Sequence, residues 1–163
     1  MRVLGIDPGT AITGYAVVEE ERGGLRLIAI GVVNTPAQTP LPQRLQQIYT
    51  GIQAIIQAHT PAAAAVEELF FSRNARTAMA VGHARGVALL ALVDAGLPIA
   101  EYTPMQIKQA VTGYGSADKH QIQEMVRMLL ALPAAPRPDD AADAAAVAIC
   151  YLHRIKLDEL LKT

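Results

Sequence analysis

The stretch Arg2-Val3-Leu4-Gly5-Ile6-Asp7-Pro8-Gly9-Thr10 decides how the rest of this chain is read. Val3 to Ile6 is an unbroken apolar run of the kind that fills a buried strand, and Pro8-Gly9-Thr10 turns the chain at once. Asp7 is therefore expected at a strand end with its carboxylate exposed. Glu67 closes a second apolar run, Ala62 to Val66, in the same way. Asp140 and Asp143 open the last helical segment and, three residues apart, face the same side. Four acids distant in sequence thus sit at element ends, where a compact fold can gather them into one cluster that handles phosphate through divalent metal ions.

The chain has 163 residues, within the about 100 to 200 usual for one domain, so a single domain spanning 1–163 is expected. Hydrophobic residues make up 52% and charged residues 18%, the latter below the roughly 25% of ordinary soluble domains, which supplies a core and argues against disorder. No apolar run approaches the roughly 18 residues of a membrane span, and Met1-Arg2-Val3 enters a strand rather than a signal segment. A cytoplasmic protein with no membrane role is the expectation. Cys150 is the only cysteine, which excludes an intrachain disulfide and a Cys-based zinc site; it is expected to be a buried hydrophobe. His59, His83, His120 and His153 show no metal-ligand spacing and are read as surface or loop residues. A net charge of -1 does not announce a nucleic-acid binder. Between Phe70 and Val93, however, Arg73, Arg76 and Arg85 stand without a single acid, and dications in an acidic cluster would add further local positive charge.

Arg2 to Ile6, Thr13 to Val18 and Leu25 to Val33 read as three strands of an antiparallel meander, with Glu19 to Gly24 as the second turn. Leu45, Ile48, Tyr49, Ile52, Ile55 and Ile56 recur at helical spacing, predicting a helix to about His59. Alternation follows: a strand from Ala62 to Glu67, an Ala-rich helix from Ala75 to Ala95, a strand from Pro98 to Tyr102, and a helix from Pro104 to Val111 capped by Thr103. Ser116 is positioned to cap a helix through Leu130, and the last helix runs from Asp139 to about Ile155. A meander followed by strand–helix units predicts an α/β domain: a mixed five-stranded sheet flanked by helices, its first strand central beside the Ala62 strand. Ligands of such sheets gather at the carboxyl ends of strands, where Asp7 and Glu67 both point. Gly82 and Gly86, four apart on one helix, allow a close backbone approach, either to its own sheet or to another element.

The residues Gly5-Ile6-Asp7-Pro8-Gly9-Thr10, Thr13-Gly14-Tyr15, Glu67, Phe70, Asn74 and Gly82-His83-Ala84-Arg85-Gly86, followed by Lys108, Gly115-Ser116-Ala117-Asp118-Lys119 and Asp140-Ala141-Ala142-Asp143-Ala144, resemble in order the signatures of the RuvC family of Holliday-junction resolvases. The resemblance covers nearly the whole chain. It implies a ribonuclease-H-like fold, a homodimer, and symmetric nicking of four-way DNA junctions in recombination and repair, with a branch-migration motor as a further partner. It also implies that Lys108 and Lys119 stand near the scissile phosphate, that Phe70 stacks on an exposed base, and that Arg73 and Arg76 contact phosphates. Two departures are visible: His83 stands where the family pattern implies glutamine, and the doubled Asp139-Asp140 leaves two registers for the ligand, of which Asp140 completes Asp-Ala-Ala-Asp.

Each feature also has an ordinary explanation. Asp-Pro-Gly is a common turn, and acids at a helix start complement its dipole by about 0.3 to 1 kcal/mol. Glu67 is harder to dismiss, because a carboxylate ending an apolar strand inside a sheet is costly to desolvate without a balancing cation. Clustered carboxylates raise one another's pKa, and metal binding then releases protons. Hard oxygen ligands select Mg²⁺, with Mn²⁺ as an alternative, and two ions in one site suit phosphodiester hydrolysis. The expected ligands are Asp7, bridging both ions, and Glu67, Asp140 and Asp143. The sugar-kinase and actin ATPases share the Asp-x-Gly-Thr turn but need a second such domain that 163 residues cannot hold. A branched-DNA binding module without cleavage and a resolvase-like RNA-processing nuclease remain the alternative functions.

Overall fold

Val3, Leu4 and Ile6 have no exposed surface, which is why β1 (Arg2–Asp7) occupies the centre of the sheet. The computed structural model describes residues 1–68 and 75–161. Among them, β2 (Ile12–Glu21) pairs antiparallel with β1 and β3 (Gly24–Asn34) antiparallel with β2. On the other side β4 (Ala63–Glu67) runs parallel to β1 and β5 (Ile99–Tyr102) parallel to β4, giving the order β3-β2-β1-β4-β5. The mixed sheet expected from the sequence is the one observed. Ile6 is in register with Val66, so the next residues, Asp7 and Glu67, emerge side by side at the carboxyl ends of adjacent strands.

Side chains alternate across the sheet, and each face has its own core. Leu4, Ile6, Val17, Ala64 and Val66 pack against α1 (Leu41–His59) and α2 (Ala75–Asp94). Val3, Ala16, Val18, Ala63 and Ala65 pack against α5 (Asp139–Leu161), which is buried almost continuously from Ala144 to Leu152. Behind α5 lie α3 (Pro104–Thr112) and α4 (Lys119–Leu129). Cys150 is buried here, as anticipated, and burial pushes its thiol up to about 12. The four histidines lie in helices rather than loops, and His153 Nδ1 is 2.9 Å from the Ala110 carbonyl oxygen.

Several boundaries differ from the sequence reading. β2 and β3 run through the acidic stretch and leave only Arg22 and Gly23 in the turn, because Glu19 and Glu21 pair with Arg26 at 2.8 and 2.6 Å and Glu19 also with Arg2 at 3.3 Å. Thr103 caps α3 through a capping box with Gln106, as expected. The cap of α4 is Asp118, not Ser116: its carboxylate accepts from the Gln121 amide at 2.8 Å while Gln121 Oε1 accepts from the Asp118 amide at 2.9 Å. Helix α2 is, by length and composition, apolar enough to cross a membrane, with a mean hydropathy of 1.2; its alanines, valines and leucines raise the mean, while Arg76, His83 and Arg85 interrupt the apolar run. It lies on the sheet through Ala84, Ala88, Ala91 and Leu92, and Arg85 forms an ion pair with Glu101 on β5.

Two glycines set how closely α5 approaches. A Cβ on Gly5 would collide with the Ala144 carbonyl oxygen and stand 2.7 Å from the Ala148 amide nitrogen. One on Gly14 would collide with the Asp140 carbonyl oxygen. Both obstacles are helix backbone, which cannot yield locally. Gly5→Ala and Gly14→Ala should each lower stability by about 1 to 3 kcal/mol, the usual result of overpacking; urea unfolding with an unchanged m value and a reduced midpoint checks this. Wild-type midpoints in both would contradict the close approach.

Candidate active site

The carboxyl end of β1 is where the acids meet. Asp7 and Glu67 end neighbouring parallel strands, and α5, laid against Gly5 and Gly14, brings Asp140 and Asp143 in its first turns to the same edge. All four are half-buried. The Asp7 carboxyl is pushed from an ordinary 3.8 up to about 8, first by burial and then by the negative charges of Glu67, Asp143 and Asp140, with Lys119 opposing. Glu67 is also raised, by burial and by Asp143, and is eased by a hydrogen bond from Asp7 and by Lys108 and Lys119. Asp143 is raised by burial, with Lys119 opposing. Burial and mutual repulsion thus disfavour the fully charged form of the Asp7–Glu67 pair.

Two lysines complete this edge. Lys108 on α3 and Lys119, the first residue of α4, line a cavity of about 180 Å³ with Glu67 and Asp143, its apolar wall formed by Pro104, Ile107, Ile122 and Ala146. Lys119 Nζ lies 3.3 Å from Asp143 Oδ2 and 3.1 Å from Asp139 Oδ2. Its pKa is raised: partial burial works against the charge, but hydrogen bonds to Asp139 and Asp143 and their charges outweigh it. Asp139 is correspondingly held below the ordinary carboxylate value by its hydrogen bonds to Lys119 and Gln123.

Of the two registers left by Asp139-Asp140, the charge felt at Asp7 is that of Asp140, while Asp139 faces Lys119, Gln123 and Arg137. Among the described residues no three acidic, histidine or cysteine side chains yet converge at ligating distances around one point. The four acids are near enough to perturb one another, and Asp143 is drawn toward Lys119. As a donor set they fit a hard dication: every atom is a carboxylate oxygen, and the cluster already draws a proton and an ammonium into contact with its charge.

Arg76 lies exposed in the first turn of α2; Phe70, Phe71 and Arg73 lie outside the described residues. The sequence reading assigned no role to Gln123 and weighed Asp139 only as the other register for the ligand. Gly5 and Gly14 entered only within motifs, and a glycine in the middle of an otherwise apolar strand is the signal for close backbone approach.

The comparisons with known proteins agree with this geometry. The family model described as crossover junction endodeoxyribonuclease RuvC matches residues 3–151. The protein of that name from Chloroflexus aggregans is 60% identical over 153 residues, covering 94% of this chain and 93% of that one. Its counterpart from Syntrophomonas wolfei subsp. wolfei is 53% identical over 163 residues, covering 100% and 95%. The solved structure of T. thermophilus RuvC in complex with Holliday junction substrate superposes with a TM-score of 0.91 at 40% identity, covering 97% of this chain and 96% of that one. The sheet order and flanking helices are therefore those of a ribonuclease-H-like resolvase fold. With the acids at one sheet edge and a match that runs through nearly all of the sequence, the chain belongs to the RuvC family of crossover junction endodeoxyribonucleases.

Proposed function

We propose that this protein is a Mg²⁺-dependent endodeoxyribonuclease that resolves four-way DNA junctions by symmetric nicking in recombination and repair. The observation that carries the reading is the placement of four acids at one end of the sheet, Asp7 and Glu67 ending adjacent parallel strands and Asp140 and Asp143 in the first turns of α5, with the Asp7 carboxyl raised by burial and by the charges of the other three. Such a group calls for a cation. Asp7, Glu67, Asp140 and Asp143 would hold two Mg²⁺, or Mn²⁺. The chemistry such ions would supply there is stabilisation of the negative charge developing on the phosphoryl and leaving oxygens and activation of a water.

The remaining work falls to the chain's own residues. Lys108 and Lys119 face the cavity from α3 and α4, where their ammonium groups meet the scissile phosphate as point charges. The first turn of α4 offers free amides to the same phosphate. Arg73 and Arg76 contact neighbouring phosphates, and Phe70 stacks on an unpaired base, an interaction of about 1 to 3 kcal/mol. The setting is the cytoplasm, with a branch-migration motor as a further partner on the junction.

A homodimer matches a substrate with two symmetric strands to cut. Supporting it, Met79, Leu90 and Val93 are 64, 53 and 61% exposed and fall with Gly86 along one face of α2, where a Cβ on Gly86 would meet open space. An apolar stripe with a small residue at its middle suits close packing against its twofold copy. Leu90→Glu with Val93→Glu should yield a monomer by sedimentation velocity, and a retained dimer would place the interface elsewhere.

Incubation of labelled four-way junction, duplex and single strands should give paired nicks in the junction alone, abolished by chelator. Asp7→Asn should reduce cleavage by roughly 100-fold or more while junction binding persists, since one lost ligand impairs the metal site more than the phosphate contacts. Binding without cleavage by the wild type would favour the binding-module alternative, and cleavage of RNA alone the RNA-processing one.

The raised acids also fix a pH dependence. A carboxyl whose folded pKa lies above its unfolded value binds a proton in the folded state that the unfolded chain has released, so stability falls as pH rises between the two values. For Asp7 that window runs from 3.8 to about 8, with Glu67 and Asp143 shifted in the same direction. In chelator, urea midpoints should drop across this window, and Asp7→Asn should flatten the slope and stabilise the protein at its upper end. Stability that rises with pH there would contradict the carboxylate cluster.

A further inference from the structure

Asp139 sits beside a proposed metal ligand, and its charge bears on Asp143 but is not among those felt at Asp7. Its two oxygens are divided: Oδ1 accepts from Gln123 Nε2 and from Arg137 Nη1, both at 3.0 Å, and Oδ2 faces Lys119 Nζ at 3.1 Å. Gln123 is only 8% exposed and lies one turn along α4 from Lys119. The carboxylate is thus fixed at the meeting point of the starts of α4 and α5 by donors other than Lys119, and Lys119 comes to a seat already built.

The second seat of Lys119 is Asp143 Oδ2, at 3.3 Å. Resting on the reading of this edge as a metal-dependent nuclease site, we propose that Asp139 is a positioning residue for Lys119, holding its ammonium at the mouth of the cavity when Asp143 turns to a divalent cation. An ammonium kept on Asp143 Oδ2 competes with the cation for the same negative charge. Without Asp139, Lys119 has two outcomes: it stays on Asp143 and competes with the cation, or it swings into solvent on its flexible four-carbon stem. Its location is otherwise unfavourable, since a cation at the first residue of a helix opposes the helix dipole and the carboxylate of the cap, Asp118, is turned to the Gln121 amide. Asp139 offsets that disadvantage from the neighbouring helix. The doubled acid therefore divides two tasks, Asp140 toward Asp7 and Asp139 toward the lysine.

The test is a double-mutant cycle of Asp139→Asn and Lys119→Met, with Asp139→Glu as the conservative variant. Asparagine keeps a carbonyl for Gln123 and Arg137 while losing the charge that holds the lysine. Asp139→Asn should lower kcat for junction cleavage roughly tenfold, the usual effect of losing a supporting partner, with KM changed by less than about twofold because most phosphate contacts persist. It should also weaken Mn²⁺ binding, followed by electron paramagnetic resonance without DNA, because Lys119 then rests wholly on Asp143. In the Lys119→Met background both effects should vanish, and Asp139→Glu should restore part of kcat. Equal losses in the two backgrounds, or no loss in either measurement, would overturn the proposal. If the wild-type protein cuts no junction, the nuclease reading falls and the Mn²⁺ cycle alone decides: an effect that depends on Lys119 upholds the Asp139 seat, and one independent of Lys119 removes it.

Discussion

Helix α5 lies closer to β1 and β2 than any pair of surfaces carrying side chains at the contact would allow. Gly5 and Gly14 leave backbone facing backbone, so the Ala144 and Asp140 carbonyls occupy the space a Cβ would take. Everything at the site follows from that separation. Asp140 and Asp143 ride on the first turns of α5, and a helix held farther out by even one methyl group would carry both acids away from Asp7. The run of alanines behind them, Ala141 to Ala148 with only Asp143 and Val147 interposed, is what lets the helix stay seated along the sheet.

Closeness has an electrostatic consequence. Asp7, Glu67 and Asp143 are each raised, burial being the largest cause in every case and like charge adding to it. A fold does not lower its energy by arranging acids in this way, so the cluster marks a place where stability is given up for function. Two positive charges soften it, those of Lys108 and Lys119. The lysines compensate the carboxylates from the rim, on separate helices, which leaves them placed for the phosphate role proposed for them.

Much of this was legible in the residues themselves. The buried run before Asp7, the Ile-rich periodicity of α1, the Thr103 cap and the strand–helix alternation each rest on local rules, and each corresponds to an observed element. The central place of β1 beside β4 was expected from the meander and strand–helix pattern, and it is observed. Less legible were features set by partners distant in sequence. β2 and β3 persist through charged residues because Arg2 and Arg26 pair with Glu19 and Glu21 across strands. Helix α5 continues past Ile155 to Leu161 although the last turns are exposed, so apolar periodicity could not mark its end. Asp118 was a missed local signal, since Asp-x-x-Gln is itself a capping pattern. The Lys119–Asp139 pair joins two helix starts twenty residues apart, and no spacing rule connects them.

The turn that carries Asp7 is also tied to the helix with the exposed apolar stripe. Thr10 Oγ1 donates to the Ala80 carbonyl on α2, Thr35 Oγ1 donates to the Thr10 carbonyl at 2.5 Å, and Arg44 Nε donates to Thr35 Oγ1 at 2.8 Å. Thr10 and Thr35 are both buried, where an unmade hydrogen bond is costly. A shift of α2 must therefore either break this chain of bonds or carry the Pro8-Gly9-Thr10 turn with it. Packing of α2 against its own copy would thereby bear on the first proposed metal ligand through the Thr10–Ala80 hydrogen bond and the covalent chain from Thr10 back to Asp7, while the Thr35 and Arg44 bonds tie the same turn to the residues after β3 and to α1. In a protein proposed to cut two strands symmetrically, that is a physical reason for the helix on one face of the sheet and the carboxylates at its edge to belong to one mechanical unit.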